Sequence, residues 1–449
     1  MSDDEKSQKN SELSIQVEAT YRTYPIRFYG LALICLLNIV SSINWLSVAP
    51  VPNYANTFFN NIGYTTINWF SNSFLLTYIV AGPISSFVFY RYSLKTGLIA
   101  GTVLQVIGAW LRYFSSFVNG GGNGRVALAL IGQIFCAFGQ PFILNASTPY
   151  SSMWFGPKER SSASMAGGLA NSVGMAVADL IIPAIVPDEN SIPLNFLIIA
   201  CITTGFGIPV LFIPKQPKTA PSFSAATHDE RRQKQPLLKT LCSLATNLNF
   251  LMIAVCFGIL CGLASTVTSM LPQIVEPYGV SYDDAGFLGA AFIVAGIVGA
   301  VATGLFIDRT KLHKWVLRLY VPIVGILYLV LLFIVKKDNY DAIMAICAIL
   351  GFFTLSLLPV ALELSVESTY PVSETISSST LWMCSQILGL IFIVVLNALR
   401  EEDGNPPGNL RRGLILATCV SMPLMILSTL YNSPNKRMDV EKEQEMLPE

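Results

Sequence analysis

Apolar residues gather in runs of about 20, long enough to cross a ~30 Å hydrocarbon layer at 1.5 Å per residue. Polar breaks separate these runs. The pattern predicts membrane helices at 27–52, 66–90, 97–118, 125–149, 162–187, 193–213, 248–276, 284–307, 314–336, 341–365, 374–400 and 412–431. One polar stretch, 214–247, is long and holds the charge run Asp229-Glu230-Arg231-Arg232. It reads as a flexible linker with a short surface helix, and it divides the chain into six helices plus six. The expected organisation is therefore a disordered tail at 1–26, bundles at 27–213 and 248–431 flanking the linker, and a second tail at 432–449.

Composition sharpens this picture. The 449 residues are 53% hydrophobic and 12% charged, with a mean hydropathy of +0.55. Soluble chains carry roughly 25% charged residues, so the deficit calls for lipid. The 28 basic and 28 acidic residues cancel, and no basic patch suits nucleic acid. Placing both termini in the cytoplasm puts 20 of the 28 basic residues on that side and six outside, with Arg112 and Arg318 inside helices. That bias supports the orientation. No apolar segment precedes the first long run, so that run is expected to be the anchor. The membrane itself, plasma or vacuolar/lysosomal, is left open.

Eight of the nine cysteines lie in apolar runs without C-x-x-C spacing, which reads as helix packing. His228 and His313 fall in loops, so the membrane region has no histidine for a metal or a proton relay. No phosphate loop, hydrolase elbow or metal-ligand cluster occurs. The expectation is a transporter rather than an enzyme, with no cofactor and no metal.

An internal repeat runs through both halves. Phe155, Glu159, Asn171 and Gly174 recur as Tyr370, Glu374, Gln386 and Gly389, each 215 positions on. Ile79-Val80-Ala81-Gly82 recurs 214 positions on as Ile293-Val294-Ala295-Gly296. A duplicated six-helix unit with an axis along the membrane normal describes the major facilitator architecture. The fold class expected is thus an all-α membrane protein of 12 transmembrane helices in two pseudo-symmetric six-helix bundles. The segment from Gly304 to Asp308, Arg309 and Lys311 is similar to the superfamily's loop signature.

Several stretches resemble the family of the feline leukaemia virus subgroup C receptors. They include Asn44-Trp45-Leu46-Ser47-Val48-Ala49-Pro50-Val51, Asn68-Trp69-Phe70-Ser71, Gly108-Ala109-Trp110-Leu111-Arg112, Gly132-Gln133 and Trp154-Phe155. In the second half they include Pro359 to Glu367, Tyr370-Pro371 and Glu374. The resemblance covers nearly the whole membrane region and is nearest to the branch called major facilitator superfamily domain-containing protein 7. It implies transport of choline or ethanolamine, with haem and pyridoxine as other cargoes attributed to the family. In the family's choline carriers two aromatics and two glutamines enclose the ammonium. Trp45 matches the first aromatic and Gln386 one glutamine. The other two positions fall on Ser265 and Ser172, next to a retained Asn171.

The candidate solute-binding residues are accordingly Asn44, Trp45, Asn171, Ser172, Ser265, Thr268 and Gln386. Trp45, read as mid-helix, is either a pathway wall or a packing aromatic. Asn171 and Gln386 need hydrogen-bond partners in hydrocarbon, found in a watery cavity or on a neighbouring helix. Glu363 and Glu367 share a helix face and are expected to pair with Arg309 or Lys311 beside Asp308 at a gate, in preference to coupling protons. Asp179, the deepest carboxylate, either carries a proton or cation or pairs with Arg112. The expected function is secondary transport of a small polar organic solute, an amine or organic cation, by a monomer, with or without a coupling ion. The alternatives are a haem or vitamin transporter, a broad drug exporter and a non-transporting receptor.

Overall fold

The computed structural model describes residues 22–118, 121–156, 159–221, 237–310, 312–369, 372 and 374–433. Most of both tails, the linker segment with His228 and the charge run, Lys311, Tyr370 and Pro371 lie outside the described residues.

Among the described residues, twelve helices are long and apolar enough to span a membrane. They are α1 (Ile26–Trp45), α2 (Tyr64–Arg91), α3 (Leu94–Ser115), α4 (Gly121–Leu144), α5 (Arg160–Ile185) and α6 (Ile192–Gly207) in the first half. The second half holds α7 (Leu248–Val275), α8 (Tyr282–Thr310), α9 (His313–Ile334), α10 (Tyr340–Thr369), α11 (Glu374–Ala398) and α12 (Arg411–Ser421, resuming at Leu424–Leu430). The linker contributes a short helix, Leu237–Thr246. With an even number of spans, both ends of the chain leave on one face, called here the terminal face; the opposite face is distal.

Large apolar side chains stay exposed along the outer helix faces, among them Phe87, Val298, Leu305, Leu319 and Ile426. A bare apolar surface of that extent belongs against lipid. Prolines sit within α2, α4, α5, α7, α9 and α10. Spanning helices tolerate them where neighbouring groups satisfy the freed backbone.

The two halves share one packing scheme. The pairings α1–α5, α1–α4, α2–α4, α3–α4 and α3–α6 of the first half recur as α7–α11, α7–α10, α8–α10, α9–α10 and α9–α12. Gly174 lets α5 approach α1 at Ile39, and its repeat partner Gly389 faces Gly262 where α11 crosses α7. Between the halves, α5 packs on α8 and α2 on α11.

One predicted helix is shorter than expected. The run 27–52 is helical only to Trp45, and the chain then turns before a short helix, Pro52–Phe58. Pro50 and Pro52 have no N–H to continue the ladder. Side chains from other helices satisfy the carbonyls released there, so Trp45 is the last residue of a helix rather than a mid-helix residue.

Candidate functional site

That broken helix end is held by a polar network inside the first bundle. Arg112 of α3, 1% exposed, donates through Nη1 to the Asn44 carbonyl at 2.9 Å, Ser47 Oγ at 2.8 Å and Gln133 Oε1 at 2.7 Å. Its Nη2 donates to Asn44 Oδ1. Gln133 of α4 donates to the carbonyls of Asn44, Trp45 and Phe70 at 3.2, 3.3 and 3.0 Å. Asn195 of α6 donates to the Ser47 carbonyl at 2.8 Å. A planar guanidinium with several donors suits this cluster of acceptors. The Trp45 indole N–H is fixed in turn, donating to the Ser71 carbonyl of α2 at 3.2 Å.

Trp45 thereby walls a cavity of about 40 Å³ between the bundles, room for a few water molecules at roughly 10–15 Å³ each. The first bundle contributes Trp45, Gln140, Asn171 and Ser172. The second contributes Ser265, Thr268, Thr354, Trp382 and Gln386, with Cys261 and Phe292 nearby. Among the described residues, the lining holds no acidic, basic or histidine side chain. Three of its buried polar atoms, Gln140 Oε1, Asn171 Nδ2 and Thr354 Oγ1, have no hydrogen-bond partner among the described residues. Such atoms are costly to leave dry, so water or a polar solute suits them. Trp382 is braced from behind by Phe257, edge to face at 5.4 Å.

Toward the distal face, a polar rim joins the bundles. Gln273 of α7 donates to Asn68 Oδ1 of α2 at 2.7 Å. Arg400, just beyond α11, donates to Gln273 Oε1 at 2.5 Å and stacks over the Tyr64 ring at 5.4 Å. Longer contacts of 3.4 Å link Asn68 to Asn397 and Asn397 to Thr65.

The Major Facilitator Superfamily model matches residues 33–394. The chain belongs to that superfamily. Within it, the chain is 30% identical over 426 residues to solute carrier family 49 member A3 of Xenopus tropicalis, covering 92% of this chain and 86% of the relative. It is 28% identical to the choline/ethanolamine transporter FLVCR1 of Mus musculus, covering 93% and 77%. These relatives agree with the receptor-related family that the sequence resembles. Among solved structures, a D-xylose-proton symporter superposes with a TM-score of 0.70 at 13% identity over 91% of this chain and 98% of that one. The E. coli fucose:proton symporter gives 0.64 at 18%, over 92% and 100%. Both share the superfamily fold, and the chain is a membrane transporter of that superfamily.

Six of the seven residues singled out for solute binding, Trp45, Asn171, Ser172, Ser265, Thr268 and Gln386, line one cavity. Asn44 does not: it is fully buried, donates to Thr203 Oγ1 at 3.0 Å and belongs to the Arg112 network. The alternative pairing of Arg112 with Asp179 is also absent, since Arg112 is engaged by α1 and α4 while Asp179 faces α8.

Of the residues read as a gate, Glu367 is buried and Glu363 half-buried near the terminal end of α10, and Arg309 is exposed at the end of α8. The side chain of Asp308 and all of Lys311 lie outside the described residues. An ion pair not anticipated from sequence, Arg27–Glu159 at 2.6 Å, ties the start of α1 to the start of α5. Gln140, Thr354 and Trp382 were also missed. Gln140 and Thr354 are 214 positions apart, the repeat offset, so the signal that singled out Asn171 and Gln386 also marks this pair.

Proposed function

We propose that the chain carries a small polar organic solute, an amine or organic cation of the choline and ethanolamine class, by alternating access of the central cavity. The observation that carries this reading is the pairing of Trp45 and Trp382 from opposite bundles around a neutral cavity with unpaired amide and hydroxyl atoms. An aromatic face attracts a desolvated cation by ~0.5–2 kcal/mol. The second aromatic that the family's choline carriers place on the seventh helix is Ser265 here; Trp382 on α11 supplies a face from the same bundle. The FLVCR1 relative, a choline/ethanolamine transporter, supports the same class. A lining without fixed charge gives no partner to an anion, and the small volume favours a small solute over a porphyrin.

Alternating access needs two bundles that rock about the site. The polar rim of Asn68, Gln273 and Arg400 serves as the distal gate in this scheme. Both termini are assigned to the cytoplasm by the basic-residue bias, which makes the distal gate the outward one.

Uptake of radiolabelled choline and ethanolamine into proteoliposomes tests the reading. The wild type is expected to take up at least one of them, with the other competing. Trp45→Ala and Gln386→Ala should each lower uptake about tenfold, the loss of ~1–2 kcal/mol of binding, at unchanged protein content. Absence of saturable uptake of either amine sinks the substrate class, and undiminished uptake in both variants sinks the site.

A further inference from the structure

Asp179 has no role in the cavity, and its surroundings are unusual. It lies on α5, six residues before the distal end of the helix at Ile185, about 9 Å along the axis. The residue is 6% exposed, and its Oδ2 has no hydrogen-bond partner among the described residues. Its backbone carbonyl lacks the usual helix donor as well, because the residue four positions on is Pro183, which has no N–H to donate.

Both oxygens face the other bundle. A Cβ built on Gly289 of α8 would meet Asp179 Oδ2 at 2.7 Å, and one built on Gly286 would meet the Asp179 carbonyl oxygen at 2.6 Å. The two glycines therefore let α8 close directly over Asp179 Oδ2, which has no partner among the described residues. An ionised carboxylate sealed without partner or water in that place would be very costly. A metal cation would need several oxygen ligands and space; the glycine backbone packs against the carboxyl, and no cluster of three ligating side chains occurs among the described residues. A proton needs no space.

We propose that Asp179 is a proton-binding site in the seam between the bundles, and that taking up a proton is the condition for α5 and α8 to close on the distal side. When the bundles part distally, water reaches the carboxyl and it ionises; when they close, it must be neutral. Acid thus favours the distally closed state, and rising pH favours the distally open one. The neighbouring ionisable groups do not replace the proton. Tyr282, Asp283 and Asp284 begin α8, Asp283 and Asp284 being exposed and Asp284 accepting from Ser281 Oγ at 2.7 Å. Asp188 and Glu189 lie beyond α5 in the loop to α6. On the other helices packed against α5, α1 carries Arg27, Tyr29 and Cys35 in its terminal half, α4 carries Arg125 and Cys136, α6 carries Cys201, and α10 carries Tyr340, Asp341, Cys347, Glu363 and Glu367. The short helix Ser147–Trp154 adds Tyr150.

The test uses the full chain in proteoliposomes and needs no transported solute, so it stands apart from the choline reading. Infrared difference spectra should show the carbonyl band of a buried protonated acid in the wild type, lost in Asp179→Asn. In parallel, Ala285→Cys, buried beside Gly286 on α8, is labelled from the distal side with an impermeant maleimide. The unsubstituted chain sets the background, and unfolded chain sets the reference rate at each pH. Labelling should rise several-fold from mildly acid to mildly alkaline pH, and stay low and flat when Asp179→Asn is added. Asp179→Glu should keep the pH response. The proposal is overturned if the band is absent, if it persists in Asp179→Asn, or if labelling follows pH equally with and without Asp179. A response to replacing sodium with a large organic cation, in place of the response to pH, also overturns it.

Discussion

The two bundles have the same helix pairings but are held by different forces. The first bundle is the less greasy, with mean hydropathies of 1.4 for α2 and α3 against 2.4 for α7 to α10. Its centre is wired by Arg112, Gln133, Asn195 and Asn44 onto the broken end of α1. The second bundle meets mainly through apolar side chains and close glycine crossings such as Gly262–Gly389. The lesson is that pseudo-symmetry fixes where helices lie, not what holds them. It also gives the two cavity walls different supports: Trp45 stands on a hydrogen-bonded frame, while Trp382 leans on a ring.

Arg112→Leu should produce the largest effect, because four buried acceptors lose their shared donor at once and the Asn44 carbonyl alone keeps an amide donor, from Gln133. We expect a loss of about 2–4 kcal/mol, seen as a lowered unfolding temperature in detergent. Arg112→Lys should recover less than half, since an ammonium cannot span the same forked geometry. Wild-type stability in Arg112→Leu would erase the contrast between the bundles.

Matched glycines give the next largest difference. A Cβ on Gly174 would lie 2.3 Å from the Ile39 carbonyl oxygen, whereas one on Gly389 would find its nearest neighbour, Gly262 Cα, at 3.5 Å. Gly174→Ala should therefore cost about 1–3 kcal/mol, and Gly389→Ala should be neutral or slightly stabilising, within about 1 kcal/mol. Equal costs in the same unfolding assay would show that the two crossings are not as different as their packing indicates.

The smallest expected effect concerns the ring behind Trp382. Phe257→Leu removes an edge-to-face contact worth about 0.5–1.5 kcal/mol. The KM for choline uptake should rise about two- to tenfold, with the maximal rate little changed. A fall in maximal rate alone would place Phe257 in the moving parts of the cycle instead of behind the binding wall.

The spanning helices were legible because each apolar run is a local property of the chain. The break after Trp45 was not. Pro50 and Pro52 hint at it, but the stop depends on Arg112, Gln133 and Asn195 arriving from three other helices. For the same reason Asn44, read as a cavity residue beside Trp45, proves otherwise: Thr203 and Arg112 engage it from two other helices. Asn171 and Gln386 could be picked out because an amide in hydrocarbon is conspicuous and the repeat doubled the signal. Gln140 carried the same signal beside Pro141, and the 214 offset leads from it to Thr354. Trp382 could not be told from a lipid-facing or packing tryptophan without knowing the rotation of α11. The rim of Asn68, Gln273 and Arg400 draws on three distant segments, and no local pattern joins them.

The central claim is that solute passes between the bundles through the cavity walled by Trp45 and Trp382. Ser265, half-buried in that wall on α7, offers the most direct test. Ser265→Cys in proteoliposomes should transport choline until a small thiol reagent fills the cavity, after which uptake stops, and saturating choline should slow the labelling. Transport continuing at full rate after complete labelling, beyond that of the treated unsubstituted chain, would contradict the account.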